Sequence, residues 1–318
     1  MRGSAGRRTA RLLGGTALGG TAVLAWSLLE ARSPVLRRVQ VPVLARGEAP
    51  LRLLHLSDLH LTPRGTAERD WVAGLAALQP DLTVVTGDML AHQRAVPTVV
   101  AALGELLRRP GVFVLGSNDY HEPSARNPLR YFMGPSRLER EPRPLPTGDL
   151  LAALTDAGWL DLTNTRGTLR VAGRGVRFVG VDDPHIGRDR MPPPEPLGRH
   201  GRDEGVLRLG VAHAPYLRVL DAMTEDGADL VLAGHTHGGQ VCVPGYGALV
   251  TNCDLPRAYA KGLFAWSPST PARPAQDRLG EAASSWVHVS AGLGTSPFTP
   301  VRLACRPEAT LLTLVPRP

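Results

Sequence analysis

The chain has 318 residues, enough for one large α/β domain or two ordinary ones, and its 43% hydrophobic content is that of a globular core. Three cysteines without a C-x-x-C pair argue against a thiolate zinc site, and the odd count argues against a full disulfide framework. A formal net charge of +7 fits a mixed solvated surface, anionic lipid headgroups or a phosphorylated anionic substrate; no dedicated motif supports nucleic acid, which is not an expected partner.

In chain order, Arg2, Arg7, Arg8 and Arg11 precede an uncharged stretch from Leu12 to Leu29. Basic residues followed by an apolar stretch resemble a secretory signal, and the length suits a single helical span. No good small-x-small cleavage site follows, so an uncleaved membrane anchor is preferred over secretion after signal cleavage. The expected location is the cell membrane, with the domain outside the cytoplasm. Residues 1–38 are taken as the basic region and anchor, and 39–318 as one catalytic domain.

Leu51 to Ser57, Leu82 to Thr86 and Val112 to Leu115 read as buried strands, with helices over Ala67 to Leu78 and Val96 to Arg108 between them. These helices stop before Pro80 and Pro110. The alternation predicts parallel strands joined by right-handed crossovers. Asn127 to Gly148 and Ser267 to Ser284, rich in Pro, Ser and charge, read as loops. Helices are expected at Asp149 to Ala157 and Pro215 to Met223. Strands are expected at Leu169 to Val171, Val176 to Val181, Leu207 to Ala212, Leu230 to Ala233, Val241 to Val243, Val287 to Ser290 and Thr310 to Leu314.

Metal-ligand residues follow the apolar runs. Asp58-Leu59-His60, Gly87-Asp88, Gly116-Ser117-Asn118-Asp119, His213 and Gly234-His235-Thr236-His237 each stand at a strand end. Residues two apart on a strand share a face, so Asp58 with His60, and His235 with His237, can converge on one ion. Nitrogen and oxygen donors suit divalent Mn, Fe, Zn or similar ions. His55 is expected to pack on the side opposite Leu54 and Leu56, towards the helices. Asp182-Asp183-Pro184-His185 reads as a turn, with substrate contact as the other reading.

This ordered series resembles the calcineurin-like metallophosphoesterase superfamily, whose pattern runs D-x-H, G-D, G-N-H-[DE], H and G-H-x-H. The stretches Leu54 to Leu61 and Gly234 to Gln240 look most like its membrane-associated YkuE-like branch. The resemblance implies an α/β fold, a four-layer metallophosphoesterase sandwich of two facing mixed β-sheets flanked by helices. It implies two divalent metal ions and hydrolysis of a phosphomonoester, phosphodiester or pyrophosphate bond by a metal-activated hydroxide, on a substrate that the nearest relatives suggest is lipid-linked. Asp58, His60 and His237 resemble ligands of one ion, His213 and His235 ligands of the other, and Asp88 the bridging carboxylate.

Gly116-Ser117-Asn118-Asp119 departs from the pattern. Without a gap, Ser117 and Asn118 replace the amide and the histidine; a one-residue slip is preferred, in which Asn118 keeps the amide ligand role, an amide carbonyl being a better match than a serine hydroxyl, and Asp119 takes the place of the histidine. Either way the usual general acid is absent, a loss typically worth about 10²–10⁴-fold in rate. His121 is the candidate substitute. The competing reading is a binding or scaffold protein that keeps the fold and has lost catalysis.

Overall fold

A computed structural model of the protein describes residues 20–125, 143–194, 206–268, 270–273 and 284–318. A helix α1 occupies 20–30, followed by strand β1 (Val35–Leu44) and β2 (Leu51–Leu56). Helix α2 (Thr66–Gly74) tightens into a 3₁₀ turn, Leu75–Leu78, and stops where Gln79 turns left-handed before Pro80. Next come β3 (Leu82–Thr86), α3 (Val96–Leu103) with a 3₁₀ turn Gly104–Arg108, β4 (Gly111–Val114) and the single turn α4 (Ser117–Tyr120). The second half contains α5 (Thr147–Asp156), β5 (Leu160–Asp161), β6 (Arg166–Val171), β7 (Arg174–Gly180), β8 (Leu207–Val211), α6 (Leu217–Glu225) and β9 (Leu230–Ala233). It ends with β10 (Cys242–Val243), β11 (Gly247–Ala248), β12 (Gly262–Ser267), β13 (Thr270–Arg273), β14 (Ser285–Val289) and β15 (Glu308–Pro316).

Two mixed sheets result. The first runs β1-β15-β2-β3-β4-β5 and the second β13-β12-β14-β9-β8-β7-β6. β2, β3, β4 and β5 are parallel, as are β7, β8, β9 and β14, so both sheets carry their carboxyl ends, and the loops that follow, as two rows. The sheets face each other across a core that includes Leu51, Leu53, Val84, Val112 and Leu312 from one and Phe178, Leu209, Val211 and Leu232 from the other. The outer face of the first sheet packs Leu54, Leu56, Val85 and Phe113 under α2, α3 and α5. The outer face of the second packs Val231, Phe264 and Val287 with Leu220 and Met223 of α6. Helix, sheet, sheet and helix make four layers, as expected.

Three expectations are corrected. His55 does not face the helices: Leu54 and Leu56 do, and strand alternation sends His55 between the sheets, where its Nδ1 lies 2.9 Å from Nδ1 of His288. The stretch from Ser267 is not wholly a loop, since β12 ends there and β13 pairs back on it antiparallel; residues 274–283, and 126–142 of the other expected loop, lie outside the described residues. The folded body also begins before residue 39, because β1 starts at Val35 and takes the sheet edge, where Pro42 leaves no ladder donor missing.

The expected span from Leu12 to Leu29 is only partly covered: 12–19 lie outside the described residues, and no helix among those described is long and apolar enough to cross a membrane. Cys242, Cys253 and Cys305 are free thiols.

Candidate metal centre

The apolar strands β2, β3, β8 and β9 all end at one place, and the residues just past those ends adopt an unusual backbone. Asp58, His60, Asp88, His235 and His237 have φ of 51°, 43°, 54°, 66° and 48°. Each left-handed non-glycine residue costs about 1–3 kcal/mol, and such strain persists where surroundings over-determine it. Here the surroundings are the loops themselves: Asp58 N–H donates to the Gly87 carbonyl at 3.0 Å, His60 N–H to that of Asp88 at 2.9 Å, and Gly234 N–H to that of His213 at 2.8 Å. The result turns each of those side chains into the seam between the two sheets.

Close approach needs glycine at two points. A Cβ on Gly87 would sit 2.9 Å from Nδ1 of His213, and one on Gly292 would sit 2.7 Å from Cβ of Asp58. Both glycines also have positive φ.

The side chains meet in two overlapping groups, Asp58 with His60 and His237, and Asp58 with Asp88 and His213; within each, one ligand atom per residue lies within 4.8 Å of the others. Nε2 of His60 and Nε2 of His237 are 3.3 Å apart. Asp88 Oδ2 lies 3.5 Å from Nε2 of His60 and 3.6 Å from Nε2 of His213, between the groups. His235 joins the second group through Nδ1, 3.3 Å from Nε2 of His213.

One main-chain carbonyl fixes which nitrogen of His213 faces the site. A carbonyl can only accept, so His213 donates Nδ1–H to Thr86 O at 2.7 Å and turns the Nε2 lone pair inward. Nε2 of His235 lies against Asn252, 3.2 Å from its main-chain carbonyl. The Asn252 side-chain nitrogen lies 3.3 Å from the same Nε2, and His235 Nδ1 and His213 Nε2 face each other at the site.

The titration behaviour separates His213 from the other three imidazoles. Burial would lower the pKa of His213, yet Asp88, Asp183 and Asp58 raise it to about 10. Burial holds His60 and His235 below the usual imidazole range, and brings His237 down to about 4 against the pull of Asp58. Asp88 is buried, which raises its pKa, but His213, His60 and two hydrogen bonds from Asn118 bring it below the ordinary carboxylate range. Neutral His60, His235 and His237 beside an ionised Asp88 are in the protonation states that divalent cations require, while His213 would release its proton on binding one. The donors present therefore fit such ions.

The Gly116-Ser117-Asn118-Asp119 segment behaves differently from expectation. Asn118 reaches the site, but its contact is donation, from Nδ2 to Asp88 Oδ2 and from its main-chain N–H to Asp88 Oδ1, both at 2.7 Å. Asp119 does not stand in the histidine's place. It is fully buried and accepts from the N–H groups of Asp88, Met89, Leu90 and Gly116 at 2.8, 2.7, 3.2 and 2.9 Å. Burial and Asp88 push its pKa up to about 7, against those donors. The carboxylate positions the Asp88 loop. His121 follows α4, half-buried, with Tyr120 as its ring neighbour at 6.3 Å; the structure joins it to none of the converging ligands by hydrogen bond or ring contact.

Two features beyond the expected set border the centre. Arg302 is fully buried, donates through one nitrogen to the carbonyls of Ala291, Gly292 and Gly294, and lies 3.3 Å from His237 Nδ1. Its distance in sequence from any ligand left no signal. The Asp182-Asp183-Pro184-His185 turn is a turn, since Asp183 accepts from His185 N–H at 2.7 Å, but it also sets the His185 ring 4.3 Å from that of His235. Its position after β7, in the same row as the ligands, was the available clue.

Known proteins share this arrangement of sequence. A family model described as calcineurin-like phosphoesterase matches residues 51–239. The chain is 27% identical over 299 residues to a "transmembrane protein with metallophosphoesterase domain" of Bos taurus, covering 91% of this chain and 59% of that one. It is 27% identical over 275 residues to the phosphodiesterase YaeI of Escherichia coli (84% and 83% covered), and 23% identical over 290 residues to the metallophosphoesterase YkuE of Bacillus subtilis (87% and 83% covered). The chain thus spans about three fifths of the bovine relative and most of the bacterial ones. With four layers, converging imidazoles and carboxylates at the strand ends, and a family match across more than half its length, the chain belongs to the calcineurin-like phosphoesterase family, in its YkuE-like branch.

Proposed function

We propose that the protein hydrolyses a phosphoester or pyrophosphate bond of an anionic, lipid-linked substrate at the membrane surface, with two divalent ions held by Asp58, His60 and His237 on one side and His213 and His235 on the other. The observation that carries this reading is Asp88, whose Oδ2 lies 3.5 Å and 3.6 Å from imidazole nitrogens of the two groups. When bound, such ions supply Lewis acidity that offsets phosphoryl charge and acidifies water.

The chain's own residues have separate tasks. Asp88 sets its negative charge beside one imidazole of each group. Asn118 holds that carboxylate with two N–H donors, and Asp119 holds the backbone from which it projects. His213 keeps its Nε2 directed inward because Thr86 holds the other nitrogen. No strong proton donor stands where the family's histidine would be. A leaving group that departs without protonation, such as a phosphate or a nucleotide, suits the site best.

Two observations support the membrane setting: the basic and uncharged N-terminal sequence, and the relative of Bos taurus whose name calls it transmembrane. A single-pass anchor with the domain outside the cytoplasm is the arrangement proposed.

The test is turnover of bis-p-nitrophenyl phosphate and p-nitrophenyl phosphate by the full chain in detergent, loaded with manganese. Hydrolysis that disappears in Asp88→Asn supports the enzyme. Tight manganese binding with no turnover on any diester, monoester or pyrophosphate favours the scaffold.

A further inference from the structure

In a water-soluble protein an amphipathic helix packs its apolar side inward. Helix α1 does the reverse. Its Ser27 and Glu30, three residues apart on one face, are the buried ones. Glu30 accepts the main-chain N–H of Cys305 at 2.6 Å and of Ala304 at 3.1 Å, and Ser27 O accepts that of Arg302 at 3.0 Å. Val23, Leu24, Trp26, Leu28 and Leu29 point outward, the last 63% exposed.

The other exposed large apolar side chains among the described residues are Val243, Tyr246 and Phe298. They stand on segments tied to the loop on which the helix docks. Val243 and Tyr246 belong to the β10–β11 hairpin, which is tied to the loop where α1 docks: Cys242 N–H donates to Leu303 O at 2.8 Å. Ala304 lines the same cavity of about 1160 Å³ as Val243 and Tyr246. Phe298 precedes Thr299 and Val301, whose carbonyls are held by the Gln240 amide at 2.8 and 3.0 Å. Above Tyr246 lies the Arg257 guanidinium, 5.0 Å from the ring centre. An aromatic with a cation beside it suits the depth at which lipid headgroups meet acyl chains.

We propose that the β10–β11 hairpin and the Phe298 loop form a second membrane contact, dipping Val243, Tyr246 and Phe298 into the surface of the bilayer beside α1. The occupant is lipid rather than a protein because α1 continues the uncharged sequence from Leu12 and offers apolar side chains around most of its girth, with only its polar face docked. The cavity under the hairpin reaches Gly238 and Asn252, neighbours of the metal-ligand histidines. A substrate drawn from the bilayer would enter there. The inference rests on the membrane setting proposed above, and not on the catalytic chemistry.

Fluorescence tests it in the full chain, reconstituted in vesicles of equal parts phosphatidylglycerol and phosphatidylcholine, with and without brominated acyl chains. The emission added by Tyr246→Trp is expected to be quenched by the brominated lipid. The emission removed by Trp26→Phe reports the helix separately. Quenching at 26 with none at 246, where iodide from the water quenches instead, overturns the hairpin contact and leaves the anchor intact. Absence of lipid quenching at both positions removes the membrane setting as well.

Discussion

A single carboxylate shows how the site depends on residues that touch no ligand. Asp119 gathers four N–H groups, three of them from Asp88 to Leu90, so the direction in which Asp88 points is set thirty residues away in sequence. Asp119→Asn puts an amide NH₂ among those donors. Manganese affinity measured calorimetrically should fall about 10–100-fold, the usual loss for a group that orients a ligand. Unchanged affinity with lowered stability would reduce Asp119 to a packing role. Gly292 gives a second test. Its φ of +68° and the Asp58 Cβ 2.7 Å from where its own would be leave no room for a methyl group. Gly292→Ala should lower stability by about 1–3 kcal/mol, read from chemical denaturation, and weaken metal binding with it. Asp58, His60, Asp88, His213, His235 and His237 could be named as candidate ligands from their order and the family pattern that order resembles. The true role of Asp119 could not, because whether a carboxylate faces a cleft or a loop is a matter of backbone direction.

The elements fall into those written locally and those written at a distance. β2, β3 and β4 are short apolar runs closed by turn residues, and α2 and α3 end at prolines, so their sequence is enough to find them. β1 contains paired arginines and a proline; it is a strand because β15 supplies a parallel partner over nearly its whole length. β12 likewise depends on β14, and β13 on β12. Helix α1 is attached to the body through Glu30, which satisfies two main-chain donors of the loop that also contains Arg302. Glu30→Ala would leave those N–H groups without their carboxylate, at about 1–3 kcal/mol each if they stay buried. Limited proteolysis should then cut within 20–34 before the rest of the chain. Equal resistance to that of the wild type would show that the helix is held by something else.

At the scale of the whole molecule, the two sheets meet through a polar contact inside an apolar core. His55 of the first sheet and His288 of the second share a hydrogen bond, and Thr86 takes the other nitrogen of His55. Burial brings His288 down from 6.5 to about 4, and burial together with His288 lowers His55 further below the usual range. Both rings are therefore neutral when folded, while the unfolded chain gains protons as pH falls through about 6.5. The stability contribution is complete above that pH and is lost on going down to about 4, by roughly 3 kcal/mol for His288 alone. His288→Gln should lower stability at neutral pH yet flatten its decline between about pH 6.5 and 4, as followed by thermal melts. A decline of unchanged steepness would place the acid sensitivity elsewhere. What the sequence determined by itself was the list of candidate metal-ligand residues, their order at strand ends and the family they announce, because a strand followed by such a residue is a local pattern. Tertiary structure alone decided which face His55 takes, that Asp119 serves a loop, that Arg302 sits under His237, and that the outward apolar residues of α1, the hairpin and Phe298 share one neighbourhood. Those depend on which strands pair and which loops touch, and pairing energy comes from partners far along the chain.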